Sequence, residues 1–302
     1  MFRHMFPKRG DLGIFDRPAP IGFIFEPKLD GIRVFLYKDQ ENIIFVNSLG
    51  IDISFKFPEL HQIAYQIRAK NCVLDGIITI IKENQVQSNL IQDRELAEQP
   101  ASIQNRSKRN PATFFVFDVL EVEGTLMTKE WLKVRKQILS NLIEESDLIK
   151  IIPSTLNGRS LWMQIKQNNN EGLIVKNSGS KYESGINWSW LKLYNKKFTN
   201  AIVAGYTDKS WILGTYRDNV LTYFGEVKKE NNTILNIIKT KIKTLKTNDP
   251  EHFKIPGATL LKPQIIAKVK FDAFEEGVLK NPEILRIRLD KLPYQCVFDK
   301  EL

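Results

Sequence analysis

The chain of 302 residues is poor in the side chains that cross-link small proteins or hold structural metals. It has two cysteines, Cys72 and Cys296, and three histidines, which excludes a disulfide framework and a Cys/His metal cluster. It also lacks an apolar run approaching the roughly 18 residues of a membrane-spanning helix. Its first residues contain no apolar signal core. These absences predict a soluble intracellular protein that does not enter a membrane.

Positive charge is in modest excess along the whole chain. There are 44 lysines and arginines against 35 aspartates and glutamates, a formal net charge of +9. From Phe198 onward the balance is 17 basic against 13 acidic residues, and before Phe198 it is 27 against 22. The excess favours a polyanionic partner that contacts both parts of the chain. The length suits two domains rather than one.

A charged turn between two apolar runs is the most informative stretch. The runs are residues 23–25 and 32–36, and the segment between them contains Lys28, Asp30 and Gly31. An Asp-Gly pair in this position predicts a strand, a tight turn and a second strand, because glycine accepts the positive φ that such a turn needs. One interpretation is a surface hairpin that carries a few charged side chains.

The other interpretation is a nucleophilic lysine. A lysine with the ordinary pKa of about 10.4 is less than about 0.1% free amine at pH 7. Nearby cations and partial burial lower the pKa of a lysine, and a rigid turn at a strand end supplies both. The turn alone does not decide between the two interpretations.

Residues 28–33 read Lys-Leu-Asp-Gly-Ile-Arg. This KxDGxR pattern resembles the nucleophile motif of the covalent nucleotidyltransferases, which are ATP-dependent DNA ligases, RNA ligases and mRNA capping enzymes. The resemblance implies that Lys28 attacks the α-phosphate of a nucleoside triphosphate and forms a lysyl–nucleotide phosphoramidate. It implies nucleotide contacts for Leu29 and Arg33, and supporting roles for Asp30 and Gly31.

Further segments resemble the ligase motifs in the family's order. Glu26 matches the residue that accepts a hydrogen bond from the adenine amino group, and Phe117 matches the aromatic that stacks on the base. Without the resemblance, a core phenylalanine is the ordinary interpretation of Phe117. Asp75, in a Leu-Asp-Gly stretch, matches a residue that supports the same pocket.

Three charged residues match the family's phosphate and metal contacts. Glu171, in the stretch EGLIVK, matches the metal-binding glutamate, and a carboxylate oxygen suits Mg²⁺ beside phosphates. Lys176 and Lys192 match lysines near the α-phosphate, where cations offset the charge that builds up in the transition state. The resemblance therefore implies ATP and Mg²⁺ as cofactors.

The end of the chain resembles the last part of bacterial and archaeal ATP-dependent DNA ligases, including those of end-joining repair. Arg286 stands just before the sequence Arg288-Leu289-Asp290-Lys291, which matches the family's RxDK element. In the family this element is thought to orient the pyrophosphate of ATP. The resemblance extends from about Phe23 to Leu292.

Four positions depart from the family pattern. Ile77 stands where relatives have a glutamate that contacts the ribose, and Ser48 stands in place of an arginine. Asn187 lies where an arginine is usual, and Tyr194 replaces the second lysine of the WLKxK pattern. A hydrogen bond to a charged group contributes roughly 1.5–3 kcal/mol. Several such losses would slow turnover.

The sequence thus predicts an α+β protein with two domains. Residues 1–197 are expected to form a nucleotidyltransferase domain of the ATP-grasp-like ligase type, and residues 198–302 a small OB-fold barrel, with a hinge at residues 195–197. The implied function is an ATP-dependent DNA ligase that seals nicks in duplex DNA and acts as a monomer. An RNA ligase, and a degenerate relative that binds nicks or ends without sealing them, remain open alternatives.

Overall fold

Short runs of β-branched and aromatic residues recur along the chain, and they form most of its strands. The computed structural model describes residues 2–17, 22–83, 85–168, 170–195, 197–229, 238, 242, 244–247, 253 and 255–297. The chain divides into two compact units, Met1–Asn195 and Lys196–Leu302. The first unit contains two sheets, and the second unit contains one main sheet.

The first sheet has four strands. In sheet order they are β1 (Met5–Arg9), β12 (Gly185–Tyr194), β11 (Gly172–Asn177) and β2 (Phe23–Pro27). Strand β1 runs parallel to β12, and the other two pairs are antiparallel. Side chains alternate between the faces of a strand, so this pairing brings Glu26, Lys176, Trp190 and Lys192 to one face of the sheet.

The second sheet lies across the first unit. In sheet order its strands are β10 (Ile149–Ile151), β8 (Thr113–Val122), β5 (Asn71–Thr79), β3 (Ile32–Asp39) and β4 (Asn42–Asn47). A short strand, β9 (Thr125–Leu126), pairs with β8, and β6 (Ile81–Lys82) forms a separate hairpin with β7 (Gln85–Val86). The β10–β8 pair is parallel, and the rest of the sheet is antiparallel.

Helices cover the outer faces of both sheets. The first unit contains the α-helices α1 (Ser88–Leu96), α2 (Pro100–Arg109), α3 (Leu132–Leu142) and α4 (Gly158–Gln167). The 3-10 helices are Leu12–Asp16, Ser54–Lys56, Pro58–Gln66 and, in the second unit, Pro293–Gln295. Trp162 and Ile165 of α4 pack on the first sheet, and Leu139 and Leu142 of α3 pack on the second.

An apolar layer lies between the two sheets. Met5 and Trp190 from the first sheet are in one buried cluster with Phe35, Phe115 and Phe117 from the second. Burial of this layer stabilises the unit by roughly 25 cal/mol per Å² of apolar surface removed from water. Glu26, Lys176 and Lys192 share the face of the first sheet that carries Trp190, and this face is called the cleft face.

The Asp-Gly turn differs from the predicted hairpin. Strand β2 pairs with β11 in the first sheet, whereas β3 pairs with β4 and β5 in the second. The turn thus carries the chain from one sheet to the other. Gly31 does not have a positive φ; instead, a Cβ there would lie 2.5 Å from Ile77 Cγ2 and 2.5 Å from the Ile78 carbonyl oxygen. Glycine is required by close approach to β5 and not by turn conformation.

The second unit is an antiparallel sheet with a small hairpin beside it. The main path runs β15 (Val220–Lys228), β14 (Ser210–Arg217), β13 (Lys197–Tyr206), β17 (Ile266–Phe271) and β20 (Glu283–Ile287). Strand β16 (Thr259–Leu260) also pairs with β13, and β18 (Ala273–Glu275) pairs with β19 (Val278–Lys280). Trp211, Phe224 and Val269 belong to its buried core.

The predicted OB-fold barrel is not confirmed. In the described part of the second unit, no strand pairing joins β15 to β20, so the sheet does not close. The mixed α/β character of the first unit agrees with the sequence prediction. Among the helices of the described residues, none is long and apolar enough to cross a membrane.

Candidate active site

Lys28 follows directly after β2, where the backbone is tightly held. The Lys28 amide donates a hydrogen bond to the Gly172 carbonyl oxygen at 2.9 Å, and Pro27 pairs with Leu173 of β11. The side chain remains one-fifth exposed. A fixed backbone with an accessible amine is what a nucleophile needs.

The Lys28 ammonium forms an ion pair with the Glu171 carboxylate. Glu171 comes just before β11, and its side chain is 9% exposed. These two residues are separated by 143 positions in the sequence, and the β2–β11 pairing brings them together. The sequence prediction made Lys28 the nucleophile and Glu171 a ligand of Mg²⁺, and the structure brings the two side chains into direct contact.

Lys192 and Tyr194 stand on the same face of β12, beside this ion pair. Tyr194 pairs with Gly172, which adjoins Glu171. The centre of its ring lies 5.5 Å from Lys28 Nζ and 5.8 Å from Lys192 Nζ. Lys192, the first lysine of the family's WLKxK pattern, and Lys28 thus have the Tyr194 ring as a common neighbour.

A second charged group lies further along the same sheet face. The Glu26 carboxylate forms ion pairs with Lys136 of α3 and with Lys176, whose Nζ is 2.6 Å from Glu26 Oε2. Both Glu26 and Lys176 are 2% exposed. Burial favours the neutral carboxylic acid, but Lys136 and Lys176 more than offset this and hold the pKa of Glu26 below its usual value.

Lys176 is a buried amine among aromatic rings. Its Nζ lies 4.2 Å from the Phe117 ring centre and 4.3 Å from that of Trp190. Burial lowers the pKa of Lys176 to about 8, although the neighbouring Glu26 opposes the shift. Phe117 is 6% exposed, so in this structure it faces cations and neighbouring rings. Its stacking on a base stays a prediction.

Arg33 points into a buried hydrogen-bond network. It donates two hydrogen bonds to Asp75, from Nε to Oδ1 at 3.0 Å and from Nη2 to Oδ2 at 2.7 Å. Tyr182 donates a third hydrogen bond to Asp75 at 2.7 Å, and His4 Nδ1 lies 3.6 Å from Oδ1. Burial favours the neutral acid, but Arg33 holds the pKa of Asp75 well below its usual range.

The remaining residues of the turn have mainly structural neighbours. Asp30 accepts a hydrogen bond from the Ser88 hydroxyl at 2.7 Å, which ties the turn to the start of α1. Leu29 and Ile77 are partly buried against the apolar layer between the sheets. Ile77 also closes over Gly31, so the position of the family's ribose-binding glutamate is apolar here.

The other departures are also located in the first unit. Asn187 donates a hydrogen bond to Glu183 Oε2 at 2.6 Å and accepts one from the Ser189 amide, at the place where the pairing of β12 with β1 is irregular. Ser48 lies in the turn after β4, where Asn47 Oδ1 accepts hydrogen bonds from the amides of Leu49 and Ile51.

The RxDK element lies at the end of the second unit's sheet. Arg288 donates two hydrogen bonds to Asp290, both 2.6 Å long, and Arg286 is 1% exposed on β20. Burial favours the neutral acid, but Arg288, Arg286 and Lys291 hold the pKa of Asp290 well below its usual range. Arg286, Arg288 and Lys291 are thus electrostatic neighbours of Asp290. The contact of these four residues with a nucleotide stays a prediction.

A cavity of about 350 Å³ opens on the other side of the first sheet. It lies between Pro27, the loop 153–157 and α4, and amide and hydroxyl side chains such as Gln164 and Ser160 line much of it. It lies beside the site and does not contain its charged groups. The chemistry of Lys28, Glu171 and Lys192 therefore belongs to the cleft face.

The Glu171 carboxylate lies beside Lys28 and is a candidate metal ligand. Within the described ranges, no three His, Cys, Asp or Glu side chains come together as a preformed metal cage. Glu171 supplies hard oxygen atoms next to the Lys28 ammonium. One carboxylate with phosphates and water is a typical environment for Mg²⁺, so this residue fits the predicted ion.

Several residues of the site were not predicted from the sequence. They are His4, Ser88, Lys136 and Tyr182. Lys136 has a detectable signal: Arg135 and Lys136 stand three and four positions after Leu132, on the apolar face of a predicted helix. Charges on such a face indicate buried ion pairs, and Arg135 indeed pairs with the fully buried Asp118. His4, Ser88 and Tyr182 have no comparable signal.

A family model described as "ATP dependent DNA ligase domain" matches residues 13–194. The match covers more than half of the chain, so the chain belongs to the ATP-dependent DNA ligase family. The predicted resemblance to ATP-dependent DNA ligases is confirmed.

Curated relatives agree with this assignment. The chain is 24% identical over 299 residues to the multifunctional non-homologous end joining protein LigD of Mycolicibacterium smegmatis, covering 91% of this chain and 37% of LigD. It is 23% identical over 312 residues to DNA ligase C1 of the same organism, covering 91% of this chain and 87% of that protein. The chain thus spans little more than a third of one relative and most of the other.

Solved structures support the fold. The chain is similar to mycobacterial DNA ligase D complexed with ATP and MES, with a TM-score of 0.69, 20% identity and 98% coverage of both chains. It is also similar to the ligase domain of LigD from M. tuberculosis, with a TM-score of 0.52 and 20% identity. At this identity the likeness concerns the fold, and it confirms the expected ligase-type α/β architecture.

Proposed function

We propose that this chain is the catalytic part of an ATP-dependent DNA ligase that seals nicks through a lysyl-AMP intermediate. The observation that carries the proposal is the contact of Lys28 with Glu171, with Lys192 close by on the same sheet face. Residues from three distant segments meet at one accessible amine. This arrangement suits nucleophilic attack on a phosphate.

In the first step, the free amine of Lys28 attacks the α-phosphorus of ATP. The N–P bond forms, the bond from the α-phosphorus to the bridging oxygen breaks, and pyrophosphate leaves with the electron pair. The lysine nitrogen loses one proton to solvent or a nearby base and keeps the other in the phosphoramidate. Lys192 offsets the negative charge on the α-phosphate oxygens, and Glu26 with Phe117 contacts the adenine.

Glu171 is the residue proposed to hold Mg²⁺. When bound there, the ion would supply electrostatic stabilisation of the phosphate charges. The carboxylate itself holds the ammonium of Lys28 near the place where the α-phosphate is expected. Arg286, Arg288, Asp290 and Lys291 are proposed to orient the pyrophosphate from the second unit.

The later steps use DNA. The 5′-phosphate of a nick attacks the lysyl-AMP and takes up AMP, and the 3′-hydroxyl then attacks this phosphate and releases AMP. The net charge of +9 supports binding to a polyanion. We infer that residues 1–197 act as the adenylation domain and residues 198–302 as an OB-type DNA-binding domain. We also infer that the protein acts inside the cell as a monomer.

Self-adenylylation tests this proposal directly. Purified protein, Mg²⁺ and α-labelled ATP should give a covalently labelled band on a denaturing gel. Lys28→Ala should lose the label, whereas Lys150→Ala, a change at an exposed surface lysine of the same unit, should keep it. A label that persists in Lys28→Ala would contradict the assigned nucleophile.

The substrate requires a second assay. Nicked DNA, nicked RNA and hybrid duplexes should be compared at several salt concentrations. Preferential sealing of nicked DNA, with binding that weakens steeply as salt increases, is the expected result. Preference for nicked RNA would favour an RNA ligase. Nick binding without any labelled lysine would favour a degenerate binding protein.

A further inference from the structure

Tyr194 occupies a backbone position beside the Lys28–Glu171 ion pair. It is the last residue of β12 and pairs with Gly172 of β11. Gly172 follows Glu171 directly, and the Gly172 carbonyl oxygen accepts a hydrogen bond from the Lys28 amide. Whatever side chain stands at position 194 is therefore next to the Lys28–Glu171 ion pair.

The alternation of β12 turns this side chain toward the cleft. Leu191 and Leu193 belong to the core under α4, on the opposite face of the sheet. Lys192 and Tyr194 therefore share the cleft face. The Tyr194 ring is not part of that apolar core, and the charged groups of the site are its neighbours.

Two amines lie close to this one ring. Lys28 Nζ is 5.5 Å and Lys192 Nζ is 5.8 Å from the ring centre, both within the roughly 6 Å over which an ammonium is attracted to an aromatic face. A lysine at position 194 would add a third positive charge and repel the other two. An aromatic ring attracts both amines and adds no charge.

We propose that Tyr194 is a positioning residue, and that its ring orients the ammonium groups of Lys28 and Lys192 so that both reach the same phosphate. This inference rests on the proposed function, because it concerns the same reaction. It explains how the site keeps its order with one lysine fewer than the family pattern. The ring and not the hydroxyl is the active part.

Two variants distinguish the effect of the aromatic ring from that of its hydroxyl group and from that of an apolar side chain in general. A third variant is a control. Tyr194→Phe keeps the ring, and Tyr194→Leu removes it but retains an apolar side chain. Tyr65→Leu is the matched control, since Tyr65 is a 72% exposed tyrosine of the same unit. Single-turnover adenylylation should be about 10-fold slower in Tyr194→Leu. Tyr194→Phe should restore the rate to within about twofold of the starting protein.

The KM for ATP should change less than the rate, because the ring acts on the amines and not on ATP. Equal rates for Tyr194→Leu and the starting protein would overturn the inference. An equal loss in Tyr194→Phe and Tyr194→Leu would also overturn it, since the hydroxyl would then be the active group. Thermal melting of all variants shows whether a slow rate reflects unfolding.

A spectroscopic signature tests the ring without turnover. Reductive methylation with ¹³C keeps the lysine charge and reports ring-current shifts. Lys28 and Lys192 signals, assigned with Lys28→Ala and Lys192→Ala, should shift in Tyr194→Leu and stay in place in Tyr194→Phe. Unchanged signals in Tyr194→Leu would overturn the inference. If the signals shift in Tyr194→Leu but the starting protein takes no label from ATP, the role of the ring is supported. The proposed function is then the part that fails.

Discussion

Two ion pairs that begin in the same six-residue motif have opposite characters. Lys28 pairs with Glu171 at an accessible edge, where the lysine side chain is one-fifth exposed. Arg33, five residues later, pairs with Asp75, whose side chain is completely buried and also bonds to Tyr182. The crossing from β2 to β3 takes the chain from the first sheet to the second between these two residues.

The difference teaches that one motif can contain two kinds of function. The Lys28 pair joins an accessible lysine to Glu171 through a direct side-chain contact. The Arg33 pair is held by two hydrogen bonds from the guanidinium and a third from a phenol, inside the protein. Breaking the Lys28–Glu171 pair should change the rate of adenylylation. Breaking the Arg33–Asp75 pair should change the free energy of unfolding.

Asp75→Asn should have the largest effect. It removes the only carboxylate in contact with Arg33 among the described pairs and leaves a buried guanidinium without its counter-charge. We expect a loss of about 3–5 kcal/mol in the free energy of unfolding, as for other buried pairs broken on one side. Urea unfolding monitored by tryptophan fluorescence measures it. A loss below about 1 kcal/mol would mean that the network contributes little.

Glu171→Gln should show the opposite pattern. Its carboxylate faces the cleft, so the free energy of unfolding should change by less than about 1 kcal/mol. Self-adenylylation should slow by about 100-fold or more, because an electrostatic partner of the reacting groups is lost. Single-turnover labelling at saturating ATP gives the rate. Instability as severe as that of Asp75→Asn would remove the distinction between the two ion pairs.

The sequence predicted the strands and the order of the motifs well. Residues with strong local signals, such as Lys28, Glu171 and Lys192, were predicted as one site, and strand pairing does bring them together. The prediction erred where sheet membership mattered. Two apolar runs around Asp-Gly indicate a hairpin, but a local pattern does not specify which strand each run pairs with.

The charged neighbours of Glu26 show a second limit. Lys176 was predicted near the α-phosphate, which stays a prediction, and its amine lies near Glu26 and two aromatic rings that were not predicted as its neighbours. Lys136 comes from a helix 110 positions after Glu26, and only the packing of α3 brings them together. Partners that depend on the angle between a helix and a sheet are not encoded in local spacing.

Gly31→Ala should have an intermediate effect. The new methyl group would lie 2.5 Å from both Ile77 Cγ2 and the Ile78 carbonyl oxygen, closer than van der Waals contact allows. We expect a loss of about 1–3 kcal/mol in the free energy of unfolding, since overpacking has this typical cost. Adding Ile77→Ala should recover only part of it, because the carbonyl contact remains. Complete recovery of stability in the double variant would show that the Ile77 side chain alone, and not the Ile78 carbonyl, makes glycine necessary at position 31.

The pH dependence of stability should show the smallest effect. Burial lowers the pKa of Lys176 from 10.5 to about 8, so this amine loses its proton in the folded state before it does so in the unfolded chain. Between these two values the unfolded chain binds more protons, and stability therefore increases with pH. The charged amine is thus a cost to folding below about pH 8 that disappears at higher pH.

Comparing the starting protein with Lys176→Met between pH 7.5 and 10 cancels the contribution of other groups. We expect the starting protein to gain about 1–2 kcal/mol relative to the variant over this range. A difference that stays constant, or that decreases with pH, would mean that Glu26 holds Lys176 charged throughout and that the buried pair resembles Arg33–Asp75 more than Lys28–Glu171.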